Sequence, residues 1–317
     1  MLLFAVNDRV YGARATPRNQ RRSLWASPAP PLRRRRVWGL WRFHPARPPL
    51  DFSVATWNIN SVRLRIDLVT RYLAQKAPDV LCLQETKCPD ANFPHGAFRD
   101  AGYRHIAISG QKGYHGVAIV SRAPFASHSV RDFCQKGDAR HLRVVLDGAL
   151  KDVELHNFYV PAGGDEPDPE INPKFAHKLA FVDEMAEWAE ADKAAAGRAI
   201  LVGDLNIAPL EHDVWSHKAL LSVVSHTPVE VEKLARAQAA GPWVDALRKF
   251  VPESEKLYTW WSYRSPDWAN ANKGRRLDHV WVSPALGPAV TGMEVMREAR
   301  GWDRPSDHVP VKVTFSL

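Results

Sequence analysis

Cysteine is scarce: Cys82, Cys88 and Cys134 are the only three in 317 residues. An odd count leaves one thiol unpaired in any disulfide scheme, and no pair shows the C-x-x-C spacing of structural zinc. The usage points to a reducing compartment rather than a disulfide-built secreted fold. Long apolar runs are missing too, none approaching the ~20 residues that a membrane span needs, so the expectation is a soluble, cytoplasmic protein with no membrane partner. Acidic residues are missing from one stretch. Residues 1–50 hold eleven arginines against a single acid, Asp8, a net of +10, which leaves −2 for the remainder. The formal charge of +8 therefore belongs to the N-terminal stretch and by itself says nothing about what the rest of the chain binds.

Those first fifty residues also contain seven prolines and no usable periodicity. They read as a disordered Arg/Pro-rich extension, or as a start assigned too far upstream, ahead of a patterned domain over 51–317. Pro28, Pro30 and Pro31 break the amphipathic helix that a transit peptide needs, and no apolar stretch follows Arg21-Arg22 as twin-arginine export requires.

From Asp51 onward, short β-branched apolar runs predict strands at 52–57, 79–84, 103–108, 116–121, 141–147, 152–160, 199–203, 278–283 and 310–316. Stripes at helical spacing predict helices near 62–76 (Leu64, Leu68, Val69, Tyr72, Leu73) and 173–196 (Phe175, Leu179, Val182, Met185, Ala189). Many strands with few intervening helices favour two packed β-sheets flanked by helices over a doubly wound parallel sheet.

Polar residues gather at the strand ends: Asn58 and Asn60 after the first, Glu85 after the second, Asp204 and Asn206 after the strand at 199–203, and Asp307-His308 near the C-terminus. Singly, each has a plain structural use as a turn residue, a helix cap or a solvated pair. Together they suit one task. Hard oxygen ligands such as Glu85, Asp307, Asn58 and Asn60 fit Mg²⁺. Asp204 is a candidate base for water, and Asn206 and His308 are candidate donors to a phosphoryl group. Asp278 is the candidate partner that fixes the tautomer of His308.

The segments WNINSVRLR (57–65), LQETK (83–87), YHGVAIVSR (114–122), NFYVPAGG (157–164), VGDLNIAP (202–209), YTWWSYR (258–264), RLDHVWVS (276–283) and RPSDHVPV (304–311) resemble, in order, the signatures of the exonuclease III branch of the endonuclease/exonuclease/phosphatase superfamily. The resemblance covers almost all of residues 52–317. It implies a four-layered α/β sandwich and a DNA-repair phosphodiesterase. Such an enzyme, working as a monomer with Mg²⁺ or with Mn²⁺ as a substitute, cuts double-stranded DNA 5′ to abasic sites and removes nucleotides or blocking groups from 3′ ends.

Residue by residue, the resemblance makes Glu85 the principal metal ligand, with Asn58 and Asp307 beside it and Asp204, Asn206 and His308 at the same centre. It makes Asp204 the activator of water, Asn206 a phosphate-positioning neighbour, Tyr159 a hydroxyl near the scissile phosphate, and Asp278–His308 the paired acid and histidine. Trp260, Trp261 and Leu277 match the walls of a pocket for an extrahelical sugar, while core packing is the usual fate of such aromatics. Arg275 stands where relatives often carry an apolar or aromatic residue. Among basic residues that could track phosphates, including Arg65, Lys87, Lys178, Lys273 and Arg275, Lys112 and Lys174 are favoured. Two alternatives remain: another phosphodiesterase or phosphatase of the superfamily, and a catalytically weakened nucleic-acid-binding regulator of the same fold. The intact NFYVPAGG and YTWWSYR segments weigh against the first, and the intact polar set against the second.

Overall fold

The computed structural model describes residues 50–192 and 194–317. The extension expected over residues 1–50 lies, Leu50 apart, outside the described residues. In chain order the first half runs β1 (Asp51–Asn58), α1 (Ile66–Lys76), β2 (Val80–Gln84), α2 (His95–Asp100), β3 (His105–Ser109), β4 (Val117–Ser121), β5 (Phe125–Val130), β6 (His141–Leu146) and β7 (Val153–Tyr159). The second half runs α3 (Pro173–Ala191), β8 (Arg198–Asp204), α4 (His217–Leu220), α5 (Pro228–Ala240), β9 (Val244–Asp245), β10 (Trp260–Trp261), α6 (Trp268–Ala271), β11 (Gly274–Arg275), β12 (Asp278–Val282), β13 (Val290–Val295) and β14 (Val311–Ser316).

Two six-stranded sheets result, ordered β13-β14-β1-β2-β4-β3 and β5-β6-β7-β8-β12-β9, with β10-β11 as a separate pair. The inner strands β1, β2, β4, β7, β8 and β12 are buried on both faces because alternate residues serve different layers. In β1, Phe52 and Val54 join Leu155, Val202 and Val280 in the core between the sheets. Ala55 and Trp57 point the other way, to Val69, Tyr72 and Leu73 of α1 and Phe98 of α2. On the far side, Leu201 and Trp281 pack under Phe181, Val182 and Met185 of α3 and Leu234 of α5. These are the four layers, helix, sheet, sheet and helix, that the sequence led one to expect. Each large side chain so enclosed contributes roughly 1.5–3 kcal/mol by leaving water.

Helix starts follow local chemistry. Asn172 caps α3 by accepting from the Lys174 N–H, with Pro173 in the first turn, and Thr227 with Glu230 forms a capping box on α5 behind Pro228. α1 begins at Ile66, four residues later than its apolar stripe predicts. The cause is tertiary. The N–H groups of Ser61 and Val62 donate to the carbonyls of Glu85 and Thr86 at 2.7 and 3.2 Å, which ties 59–65 to the loop after β2. Leu64, counted in the stripe, is consequently exposed. Among the described residues no helix is long and apolar enough to cross a membrane, and all three cysteines are free thiols.

Candidate active site

Strand direction gathers the polar residues at one edge. β1 runs parallel to β2 and β7 parallel to β8, so Asn58, Glu85, Tyr159 and Asp204 leave the sheets together. β12 and β14 run antiparallel to β8 and β1, with Asp278 opposite Asp204 and Val311 opposite Thr56. Asp278 and Asp307-His308 therefore arrive at the same edge at the start of their strands. β7 and β8 approach so closely at Gly203 that a Cβ there would lie 1.9 Å from the Phe158 carbonyl oxygen, which is why this position in β8 needs glycine. Glu85 and Asn206 take left-handed backbone, φ +51° and +54°, a conformation that costs on the order of 1–3 kcal/mol for a non-glycine residue. The Asn206 N–H, donating to Asp204 Oδ1 at 3.0 Å, helps to hold it.

A hydrogen-bonded net connects these side chains. Asn58 Nδ2 donates to Glu85 Oε1 and to Asp204 Oδ2, both at 2.9 Å, and the Tyr159 hydroxyl donates to Glu85 Oε1 at 2.9 Å. His308 Nδ1 lies 2.8 Å from Asp278 Oδ2, and its Nε2 stands 3.6 Å from Asp204 Oδ2. Lys87 Nζ is 2.7 Å from Glu85 Oε2 and donates to Asn60 Oδ1 at 2.6 Å. Asn60 in turn donates to Asp307 Oδ1 at 3.3 Å. Both amide hydrogens of Asn206 are engaged within the protein, on Asp204 Oδ2 at 3.0 Å and the Val160 carbonyl at 2.9 Å. Asn206 thus orients Asp204, and its donors do not point to an incoming phosphate in this state, as the sequence reading had them do.

Charge is distributed unevenly over this net. Burial raises the Asp204 carboxyl, the His308 charge opposes that rise, and the outcome is a value pushed up to about 7. Burial disfavours charge on His308 as well, but Asp278 and Asp204 outweigh it and hold the imidazole positive, near 10. At Glu85 burial acts upward; Lys87 and the Asn58 hydrogen bond overcome it, so this carboxyl stays below its ordinary range. The edge therefore carries an ionised carboxylate, a carboxyl poised near neutrality and a charged imidazole side by side.

A cavity of about 720 Å³ opens beside them, lined by Glu85, Asn206, Trp260, Leu277, Asp307 and His308 among others. Asn58, Asp204 and Asp278 are buried behind it. Trp260 is half-buried, and its Nε1 donates to Asp307 Oδ2 at 2.9 Å. Trp261 does not reach the cavity: 2% exposed, it packs edge-on against Tyr258 and Trp268 and donates to Asn272. Neighbouring β-residues point to opposite faces, so only one of the two tryptophans can face the opening.

Lys112 and Lys174 are exposed and do not line the cavity. Lys178 cannot track phosphates at all, being fully buried against Glu230 at 2.5 Å and donating to the Asn206 carbonyl at 2.7 Å. Arg65 is engaged by backbone carbonyls, including that of Arg304 at 3.0 Å. Arg276, directly after β11, is 1% exposed and held by Asp213 and Asp245 at 2.7 and 2.6 Å. Sequence reasoning found Lys87 only as a basic residue; its position two places after Glu85 was the available signal for an ammonium that neutralises that carboxylate.

The ligand atoms of Asp204, Asp278 and His308 lie within 4.8 Å of one another, a spacing that could hold a metal only with the imidazole neutral; held positive by the two carboxylates, it pairs with them instead. Two facing sheets, with an acid–histidine couple, a buried carboxyl and hard-oxygen ligands at one edge, define the class of phosphoester hydrolases. The model of the endonuclease/exonuclease/phosphatase family matches residues 55–308, and the chain belongs to that family. It is 28% identical over 269 residues to exodeoxyribonuclease III of Haemophilus influenzae, covering 82% of this chain and 98% of that protein. Among solved structures it is similar to an AP endonuclease from Archaeoglobus fulgidus, with TM-score 0.77, 29% identity, and 84% of this chain and 100% of that one covered. It is also similar to a 3′ phosphatase from Neisseria bound to a product DNA hairpin, with TM-score 0.76, 31% identity and the same coverage.

Proposed function

We propose that the chain is a DNA-repair phosphodiesterase that hydrolyses double-stranded DNA 5′ to abasic sites and clears nucleotides or blocking groups from 3′ ends. It acts as a cytoplasmic monomer on nucleoid DNA. The observation that carries the reading is Asp204 set between two amide donors and the charged Asp278–His308 couple, buried directly behind the cavity that Glu85 and His308 line. Relatives named as exodeoxyribonuclease III, AP endonuclease and 3′ phosphatase support the substrate class.

In this mechanism Asp204, near neutral pKa and oriented by Asn58 and Asn206, takes the proton of the attacking water. His308, kept charged and in one tautomer by Asp278, donates to the phosphoryl oxygens as charge grows on them. Tyr159, whose hydroxyl donates to Glu85 Oε1 at 2.9 Å, holds that carboxylate, and in this reading it stands near the scissile phosphate. The donor set fits a hard divalent ion: Glu85, Asn58 and Asp307 offer only oxygen ligands, and the lowered carboxyl of Glu85 is ionised at neutral pH. Mg²⁺, or Mn²⁺ in its place, when bound there supplies Lewis-acid polarisation of the phosphoryl group.

A gel assay comparing intact, nicked and abasic-site duplexes, with Mg²⁺ and with chelator, tests the whole reading. Incision of the abasic duplex that chelator stops, and that Glu85→Ala loses at ordinary magnesium, is the expected pattern. Turnover indifferent to chelator overturns the mechanism.

Trp260 and Leu277 form the wall that takes the extrahelical sugar, and Lys112 and Lys174 contact the flanking backbone. Trp260→Ala should weaken abasic-site incision more than removal of nucleotides from a frayed 3′ end. Trp260→Phe, which keeps an aromatic wall but not the bond to Asp307, should recover most of the difference. Equal loss of both activities in Trp260→Ala with a lowered melting temperature would assign the residue to core packing instead.

A further inference from the structure

Behind the catalytic edge, a buried ion pair fastens the turn that follows β8. Lys178 of α3 and Glu230 of α5 are both fully enclosed, with the lysine Nζ 2.5 Å from Glu230 Oε1. The same ammonium donates to the Asn206 carbonyl at 2.7 Å and to the Ala162 carbonyl at 3.3 Å. Among the described residues neither carbonyl has another donor. The chain closes tightly around the lysine stem: a Cβ at Gly163, where φ is +89°, would lie 2.9 Å from Lys178 Cδ and 3.0 Å from Val224 Cγ1.

Glu230 extends the grip. Its carboxylate accepts from the N–H groups of Ser225 and Thr227 at 2.9 and 3.1 Å and from Thr227 Oγ1 at 2.7 Å. The Ser225 carbonyl in turn accepts the Ala208 N–H at 2.8 Å. Positions 206 and 208 are thus tied to one charged pair, the first directly and the second through Ser225. Within the turn so held, Asn206 keeps its left-handed backbone, φ +54°, and both its amide hydrogens stay on Asp204 and the Val160 carbonyl. A fully enclosed ion pair is a poor source of stability, since apolar residues of the same volume often do as well or better. Such residues would fill the space but leave two buried carbonyls without a donor.

We propose that Lys178, locked by Glu230, is a positioning residue for the hydrolysis, holding the Asn206 turn in the conformation that directs the Asn206 amide onto Asp204. It rests on the phosphodiesterase reading of the site. Lys178 touches neither the attacking water nor the phosphate and acts through the turn alone. Without the ammonium, the Asn206 carbonyl loses its donor and the left-handed turn loses the contact that offsets its strain. Asp204 then keeps only one of its two amide partners, Asn58, so activity falls without disappearing.

Lys178→Met keeps the length of the stem and removes the charge. On an abasic duplex its kcat should fall about 10–10²-fold with KM nearly unchanged, the cost of a displaced catalytic group. Lys178→Met/Glu230→Gln also removes the stranded carboxylate, so its melting temperature should return towards the native value while kcat stays low. In an Asp204→Asn background Lys178→Met should cost little further, because the group it positions is gone. Hydrogen–deuterium exchange supplies a readout independent of activity. In Lys178→Met/Glu230→Gln, exchange over residues 205–208 should quicken about tenfold or more, the worth of a hydrogen bond to a charged group, with residues 199–202 of β8 unchanged. If this double variant regains native kcat along with its stability, or if exchange over 205–208 stays native, the pair is core packing and the assignment of Lys178 is wrong. If the native protein does not cut the abasic duplex, the function itself has been misread, and the exchange result alone decides whether the pair holds the turn.

Discussion

Asp204→Asn is expected to bind DNA as the native protein does while losing ~10²–10⁴ in kcat, the range for removal of a general base. Asparagine keeps the shape of the side chain and can still face Asn58 and Asn206, but it cannot accept a proton from water. The carboxyl it replaces is fully buried and pushed up to about 7 by burial and by the neighbouring Asp278 charge, against the pull of His308. A group so placed is half-ready to accept a proton at neutral pH. It also carries charge at a cost: a carboxyl whose folded value is raised above its ordinary 3.8 subtracts from stability at every pH above that ordinary value. Removing it should therefore leave the melting temperature at pH 7.5 unchanged or higher, the exchange of stability for activity that preorganised sites make. Single-turnover rates and DNA affinity measured on the same preparation decide the matter. A rise in KM with kcat intact would place Asp204 in ground-state binding and not at the attacking water.

The architecture was legible because strand periodicity survives burial on both faces. All nine strands expected from β-branched runs are present, the first as Asp51–Asn58 and the last as Val311–Ser316. What escaped has local reasons. β5, FASHSV, lies at a sheet edge with little buried surface, and β13 is an edge strand interrupted by Gly292. β9, β10 and β11 are two residues long, too short for any period to show. α5 was signalled by Thr227-Pro228 and Glu230, a capping box with proline in its first turn, and that signal went unread.

The site's composition was visible for a different reason. The candidate catalytic residues sit at the ends of strands or directly beyond them, where the sequence changes from apolar to polar within one or two positions. Their orientation was not visible. Nothing in LQETK discloses that Glu85 is left-handed, nor in VGDLN that both amide hydrogens of Asn206 are already engaged. The basic residues divided for the same cause. Lys178 and Arg276 find their acids 52 and 63 positions away in the chain, at Glu230 and Asp213, and only the folded chain distinguishes such a buried pair from a phosphate contact.

His308→Ala should cost a factor comparable to the loss of Asp204, ~10²–10³ for a charged donor to the phosphoryl oxygens, and the two losses should not multiply. His308 is the positive charge enclosed with Asp204 and Asp278, at 3.6 and 2.8 Å, and each carboxylate contributes to holding it charged near 10. Without it, two buried carboxylates face each other with their compensating cation gone, so Asp204 rises further and is protonated over more of the neutral range. The single substitution thus removes a donor and also silences the base. Asp204→Asn in turn takes one of the two anions from His308. Groups tied in this way act as a unit, and the double variant Asp204→Asn/His308→Ala should be only slightly slower than the worse single variant. Single-turnover rates of all four enzymes on an abasic duplex, with circular dichroism to confirm the fold, give the coupling directly. A double variant as slow as the product of the two single losses would mean that Asp204 and His308 work independently, and the couple at this edge would then have to be read as two separate devices.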